Sequence, residues 1–293
     1  MVAAPDILRG ELRKLLALPD RIAPAEGARA EGALRLNDHP ATFLVPESEG
    51  PFPAVLYCHA HGGVYALGRR ELTEGARWLA RPYAGDLPAL GIAVLAIDMP
   101  GFGARAGEGS EAGLARAGLW RGRPLFGRMV ADHMAALRWL QMQPEIDATR
   151  IATLGISMGA AHAFWLAALD PGVAAVAHIC MLADMAPLIE SGTHTRHGDY
   201  LTVPGLLRHA EIGDVAALVA PRPQFVGAGA ADHLAPQLAR DAALARLLAA
   251  YGGDCALEIL VDPEGGHGET LNIREAVLDF LVRVLIAGKE KEQ

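Results

Sequence analysis

Gly155-Ile156-Ser157-Met158-Gly159 sets one serine two residues away from each of two glycines. A serine hydroxyl is a weak nucleophile at neutral pH. It becomes an effective one when it is exposed, approached by a base that takes its proton, and aimed at donors that stabilise an oxyanion. A sharp turn from strand to helix projects the hydroxyl, but it strains the serine backbone and brings neighbouring chain segments very close. Glycine two residues before and two after removes the Cβ atoms that would collide. A helix starting near Met158 would also direct free N–H groups toward the hydroxyl. The chemistry this stretch predicts is acyl transfer to Ser157.

That reading requires a strand before the serine and a helix after it. "RIATLGI" (150–156) is a short apolar run, and "GAAHAFWLAAL" (159–169) reads as a helix stopped by Pro171-Gly172. Similar runs recur at "PAVLYCHA" (53–60), "GIAVLAIDMP" (91–100), "VAAVAHIC" (173–180), "PQFVGAGA" (223–230) and "ALEILVD" (256–262). Continuous apolar runs suit strands covered on both faces. Residues 71–91 can supply a crossover helix, and residues 122–141 place Phe126, Val130, His133, Leu137 and Leu140 on one helical face. Further helices are expected at Ile7–Leu16, at Pro236–Tyr251, closed by Gly252-Gly253, and at Leu271–Ile286, with Ile273, Val277, Phe280 and Val284 on one stripe. "ALRLN" and "ATFLVPES" read as strands separated by the turn "DHP".

Strands alternating with helices predict an α/β fold, a mostly parallel central sheet with helices on both faces. No repeat, low-complexity tract or linker divides the chain, so a single domain over residues 1–293 is expected. Two segments break the alternation, at about 104–123 and 182–215. Long insertions often form lids or pocket walls. The second follows one strand end and precedes another, and ligands of open α/β sheets bind at such ends. It is therefore expected to cap the site, and Met181, Met185, Leu188, Tyr200 and Leu206 read equally as lining for an acyl pocket or as core and lid packing.

Composition narrows the function classes. Of 293 residues, 52% are hydrophobic and 20% charged, enough for a sizeable core. A net charge of −8 disfavours nucleic acid as a general partner, because phosphate binding needs a basic surface. Cys58, Cys180 and Cys255 are far apart and outside any C-x-x-C pattern, so they read as reduced, buried thiols. The terminal "GKEKEQ" is short and of mixed sign. Neither a signal peptide nor an apolar run long enough to span a membrane is visible, so a cytoplasmic protein is expected.

Around Ser157 the sequence resembles the α/β-hydrolase superfamily, most closely its dienelactone hydrolase and acetyl xylan esterase-like groups. The resemblance runs from about Pro53 to the last helix. It is carried by "LYCHAHGG", "AIDMPGFGAR", "GRMVADHMAALRWLQMQPEIDATRIATLGISMG" and "DVAALVAPRPQFVGAGAADHLAP". The superfamily's chain order is nucleophile, acid, histidine. That order implies Asp232, in "FVGAGAADHLAP", as the acid and His267, in "VDPEGGHGET", as the base. Asp254 and Asp262 compete for the acid, and His233 for the base. Dienelactone hydrolases proper use cysteine at the elbow, where this chain has Ser157.

The resemblance also implies an oxyanion hole built from the backbone N–H of Met158 and of His61, in His59-Ala60-His61-Gly62-Gly63. Ala60 stands where glycine is usual, which leaves Gly62 open as the donor instead. His59 and His61 alternate on an extended segment and should face opposite ways, so no metal site is expected there. His194 and His197 read as solvated loop side chains, and the four tryptophans as packing residues. The implied function is cofactor-free hydrolysis of small carboxylic esters with short acyl groups, through an acyl-enzyme. A peptidase or amidase on the same fold stays open, because the related prolyl-oligopeptidase catalytic domain shares elbow and order. So does a non-hydrolytic binding protein of this fold.

Overall fold

The continuous apolar runs become strands, buried on both faces except for the last, at the sheet edge. The computed structural model describes residues 4–30 and 33–287; the mixed-charge segment 288–293 lies outside them. In chain order, helix α1 (Pro5–Leu15) leads to strands β1 (Gly27–Ala30), β2 (Ala33–Leu36), β3 (His39–Leu44) and β4 (Phe52–Cys58). Short helices α2 (Glu71–Glu74) and α3 (Tyr83–Ala89) precede β5 (Ala93–Ile97). Helices α4 (Glu111–Trp120) and α5 (Leu125–Gln141) lead to β6 (Ile146–Ile156), α6 (Met158–Leu169) and β7 (Ala175–Ile179). Then come α7 (Met185–Glu190), α8 (Ile212–Ala217), β8 (Gln224–Gly229), α9 (Gln237–Tyr251), β9 (Leu257–Asp262) and α10 (Leu271–Leu285).

The nine strands form one sheet in the order β1-β2-β3-β5-β4-β6-β7-β8-β9. Pairing is parallel from β5 through β9 and antiparallel among β1, β2, β3 and β5. The two-residue period of a strand divides the core. Ala54, Leu56 and Cys58 of β4 join the apolar layer that holds α1, α5 and α6, while Val55 and Tyr57 join the layer that holds α3 and α10. This is the α/β-hydrolase arrangement, with helices on both faces. Every residue of α6 is buried. A helix apolar all round is one enclosed on all sides, and its alanines let α5 and β6 approach closely.

Several local expectations are revised. The hairpin between β2 and β3 turns at Asn37-Asp38, both at positive φ, so His39 and Pro40 belong to β3. β1, which the sequence reading lacks, extends this edge. The crossover predicted over 71–91 splits into α2 and α3, because the chain between them turns inward to bury Trp78 and Leu79. The first insertion carries helix α4, capped by Ser110. Trp120 is 89% exposed rather than packed, and Cys255 is exposed while the other two thiols are buried. No helix among the described residues is long and apolar enough to cross a membrane.

The core encloses three histidines with a consequence for stability. His133, His162 and His178 are fully buried, and the ring nitrogens of His133 and His162 have no hydrogen-bond partner among the described residues. Burial lowers His133 and His178 from the ordinary 6.5 to about 3, and pushes His162 down as well. The unfolded chain therefore takes up protons below about pH 6.5 that the native core refuses. Stability falls as pH drops from 6.5 toward 3, by about 1 kcal/mol per pH unit for each group. Glu71 opposes this, because burial raises it to about 7 and the native state gains its proton first. His59 and His197, also lowered by burial, add to the histidine side, and Glu269, also raised, to the carboxyl side, so the lowered histidines outnumber the raised carboxyls and a net loss of stability is expected between pH 6 and 5. Urea unfolding at both pH values measures it, and His133→Leu should flatten the slope by about one proton. An unchanged slope would mean that the histidines titrate normally.

Candidate active site

The serine sits at the turn from β6 into α6, with φ 57° and ψ −118°. That is a costly conformation for a residue with a Cβ, and it is held from both sides. A Cβ on Gly159 would collide with the carbonyl oxygen of Cys58, and one on Gly155 with the backbone of Gly159. The Ser157 amide donates to the Ile179 carbonyl at 2.9 Å, tying the turn to β7.

Two loops bring the other groups to it. Asp232 follows β8 in a tight turn, where its Oδ1 accepts from the amides of Leu234 and Ala235 at 2.8 and 3.2 Å. His267 follows β9. Its Nδ1 lies 2.8 Å from Asp232 Oδ2 and 3.0 Å from Oδ1, and its Nε2 lies 2.8 Å from Ser157 Oγ. Burial alone would raise the Asp232 carboxyl, but His267 and the two amides together hold it below the usual carboxylate range. An imidazole so placed can take the serine proton, and a buried carboxylate behind it can stabilise the resulting cation.

The rival residues do other things. Asp262 is buried and shapes the His267 loop, accepting from Glu264 N, Thr270 Oγ1 and Asn272 Nδ2 at 3.0, 2.6 and 3.1 Å. Asp254 is exposed and accepts from the Ala256 amide. His233 is exposed, its ring 6.4 Å from that of His267. Cys180 packs against the same loop, its thiol 3.4 Å from the Gly268 carbonyl.

Beyond β4, Ala60 is locked. Its amide donates to both oxygens of the buried Glu71 carboxylate at 3.1 and 3.2 Å, and Tyr57 Oη and Trp78 Nε1 donate to the same group at 2.6 and 2.7 Å. Among the described residues the amides of His61 and Met158 have no protein acceptor. Gly62 lies against the Trp78 ring at φ 52°, leaving no room for a side chain. The two neighbouring imidazoles diverge. His59 is buried between Ala60 O and the Met99 amide, whereas His61 reaches Glu111. No group of three or more His, Cys, Asp or Glu among the described residues is arranged to hold a metal ion.

Ser157, His267, His61 and Gly62 open on one cleft of about 780 Å³. The sequence profile of the X-Pro dipeptidyl-peptidase (S15) family matches residues 40–250, from β3 through α9. The chain belongs to this family. Within it and beyond, this S15-family chain is 39% identical to YtaP of Bacillus subtilis (strain 168), a protein named as a hydrolase, over 86% of either chain. Two solved structures share its fold. A carbohydrate esterase family 15 glucuronoyl esterase from Caldicellulosiruptor kristjansonii matches with TM-score 0.67 at 17% identity, over 96% of this chain and 84% of its own. Acetyl xylan esterase 1 from Thermoanaerobacterium matches with TM-score 0.63 at 18% identity, over 97% and 94%.

The S15-family chain builds its cleft walls partly from the insertions. Glu111 and Ala112 come from the first, and residues 196–200 from the second. Of the five apolar candidates for an acyl pocket, only Tyr200 lines the cleft. Leu188 packs with Ala183, Ala235 and Ala239 against α9, Met185 borders that cluster, and Met181 and Leu206 join the main core. The second insertion thus spends most of its apolar side chains on its own docking and shows the cleft a polar stretch. His197 is no solvated side chain: it lines the cleft, bonds Leu234 O at 3.0 Å, and is lowered by burial. Trp78 both packs and lines the cleft.

Proposed function

We propose that this chain is a serine hydrolase that cleaves carboxylic esters through an acyl-enzyme. The observation that carries the proposal is the hydrogen-bonded line Ser157–His267–Asp232 at a strained strand-to-helix turn. Ser157 Oγ attacks the ester carbonyl carbon while His267 Nε2 takes its proton. The amides of His61 and Met158 receive the oxyanion. His267 returns the proton to the leaving alkoxide as the acyl–alcohol bond breaks, and the acyl group stays on Ser157. Water then repeats the sequence and releases the acid. Asp232 fixes the imidazole tautomer and stabilises its charged form. In this reading residues 182–215 act as the cap of one catalytic domain.

The family match favours a second reading, release of X-Pro dipeptides. That chemistry seats a free ammonium near the scissile bond, and an ammonium needs an unengaged carboxylate. The buried cleft carboxylates are already engaged. Glu111 is held by His61, Tyr65 and Tyr200, and Glu269 by Tyr83, Ala80 and Arg274. The exposed cleft charges are one carboxylate, Asp199, and two guanidiniums, Arg77 and Arg196, none with an ion-pair partner among the described residues, so the exposed cleft charge is net positive. A cleft of this charge suits a neutral or anionic ester better than a cationic peptide terminus.

A substrate panel separates the readings. The kcat/KM for nitrophenyl acetate and butyrate should exceed that for a Gly-Pro nitroanilide by ~100-fold or more, the scale expected when a buried ligand charge lacks its partner. Faster turnover of the dipeptide anilide would replace the esterase reading with the peptidase one.

A further inference from the structure

Glu111 belongs to the first insertion, yet its buried carboxylate joins three separate pieces of the site. Oε2 lies 2.5 Å from His61 Nε2 and 2.8 Å from Tyr65 Oη, and Oε1 accepts the backbone N–H of Tyr200 at 2.9 Å. The side chain is only 5% exposed. Burial would raise this carboxyl, but His61, the Tyr200 amide and Tyr65 hold it below the usual range, so all three donors meet a carboxylate.

The other side of the His61 ring fixes its tautomer. Nδ1 accepts the Gly63 amide at 3.0 Å, so the proton sits on Nε2 and points at Glu111. The ring is packed between Tyr65 and Tyr200, at centroid distances of 5.1 and 5.8 Å, with Phe102 at 5.2 Å. One residue therefore carries both the backbone N–H aimed at the reacting oxygen and an imidazole held by the insertions.

We propose that Glu111 is a positioning residue that couples the cap to the oxyanion loop: the cap's Tyr200 backbone and the His61 ring share its carboxylate, and the loop takes its catalytic shape when the cap is seated. The inference rests on the esterase reading above. Glu111 borders the cleft but bonds to His61, Tyr65 and Tyr200 rather than to Ser157, His267 or Asp232, and it acts through the orientation of the His61 amide. An oxyanion donor works only within a narrow range of distance and direction, so loosening this contact should weaken the transition state more than the bound ester.

Glu111→Gln tests this. Glutamine can still accept the Tyr200 amide with its oxygen, but it then turns an NH₂ toward His61 Nε2–H, donor against donor. Expected is a kcat lower by ~10–100-fold with KM within about threefold, less than the ~100–1,000-fold of deleting a donor outright. Affinity for a trifluoromethyl ketone, which forms an oxyanion on Ser157, should fall by the same factor, and the melting temperature should move little. His61→Ala keeps the backbone amide and removes the ring. It should give a similar loss, and the double variant should lose no more than the worse single one, because both break one coupling. Should Glu111→Gln fail to fold, His61→Ala and Tyr65→Phe carry the test, with the ketone affinity as readout.

Normal kcat and normal ketone affinity in folded Glu111→Gln, or full additivity with His61→Ala, would overturn the coupling while leaving the esterase reading intact. A wild-type protein that neither turns over esters nor reacts with a fluorophosphonate would overturn both.

Discussion

Ser157→Ala is expected to fold normally and to lose ester hydrolysis by on the order of 10⁴–10⁶-fold. The loss is large because, among the described residues, Ser157 Oγ is the hydroxyl that His267 Nε2 reaches, at 2.8 Å, and without it only water is left to activate. Stability should change by less than ~1 kcal/mol. Among the described residues the hydroxyl makes no hydrogen bond beyond His267, while the turn is held by backbone contacts that alanine keeps: the Ser157 amide to Ile179, and the close approach of Gly159 to Cys58. Ester kinetics, fluorophosphonate labelling and thermal melting on one purified sample check this. Wild-type turnover or labelling in folded Ser157→Ala would remove the serine from the mechanism.

Much of this site was legible in the sequence because its requirements are local. Two glycines around one serine report a steric problem, and the colliding atoms are there: the Cys58 carbonyl beside Gly159, and Gly159 itself beside Gly155. The apolar runs report strands, and all six became strands: β4, β5, β7, β8 and the end of β6 are buried on both faces, and β9 at the sheet edge is half-buried. Asp232 and His267 came from chain order, and the turns after β8 and β9 bring both to Ser157.

Glu71, Glu111 and Glu269 left no such trace. A glutamate at the start of a helix, as Glu111 is after Ser110, reads as an ordinary capped terminus facing water. Its burial depends on Tyr200, 89 residues along the chain, and on His61, 50 residues back. The side chains of the second insertion leave two readings open in the sequence, cleft lining or packing, for a related reason. Irregular chain must first bury enough surface to stay docked. Leu188 and Leu206 do that, leaving the wall to backbone and polar groups from Arg196 to Tyr200.

Asp232→Asn is expected to lower kcat by ~10⁴-fold, by trapping His267 in the wrong tautomer. The direction follows from which carboxylate oxygen is already committed. Oδ1 accepts from the amides of Leu234 and Ala235, at 2.8 and 3.2 Å. An asparagine in the same turn must keep its oxygen there, since an NH₂ would face two donors. Its NH₂ then takes the place of Oδ2, the carboxylate oxygen nearer to His267 Nδ1, at 2.8 Å against 3.0 Å for Oδ1. A donor at that distance requires Nδ1 to accept, which moves the ring proton to Nε2. The nitrogen facing Ser157 then carries a hydrogen and has no lone pair to accept the serine proton, and the carboxylate that would have stabilised the imidazolium is gone. Because the turn's own hydrogen bonds survive, the fold should survive with them, and KM should change far less than kcat. Ester kinetics measure the loss. ¹⁵N-detected NMR of the His267 ring should report the Nδ1–H form in the wild-type protein and the Nε2–H form in the variant. Near-wild-type kcat in folded Asp232→Asn would dismiss Asp232 as the orienting acid. A large loss with the proton still on Nδ1 would retain Asp232 but assign its effect to charge rather than to tautomer.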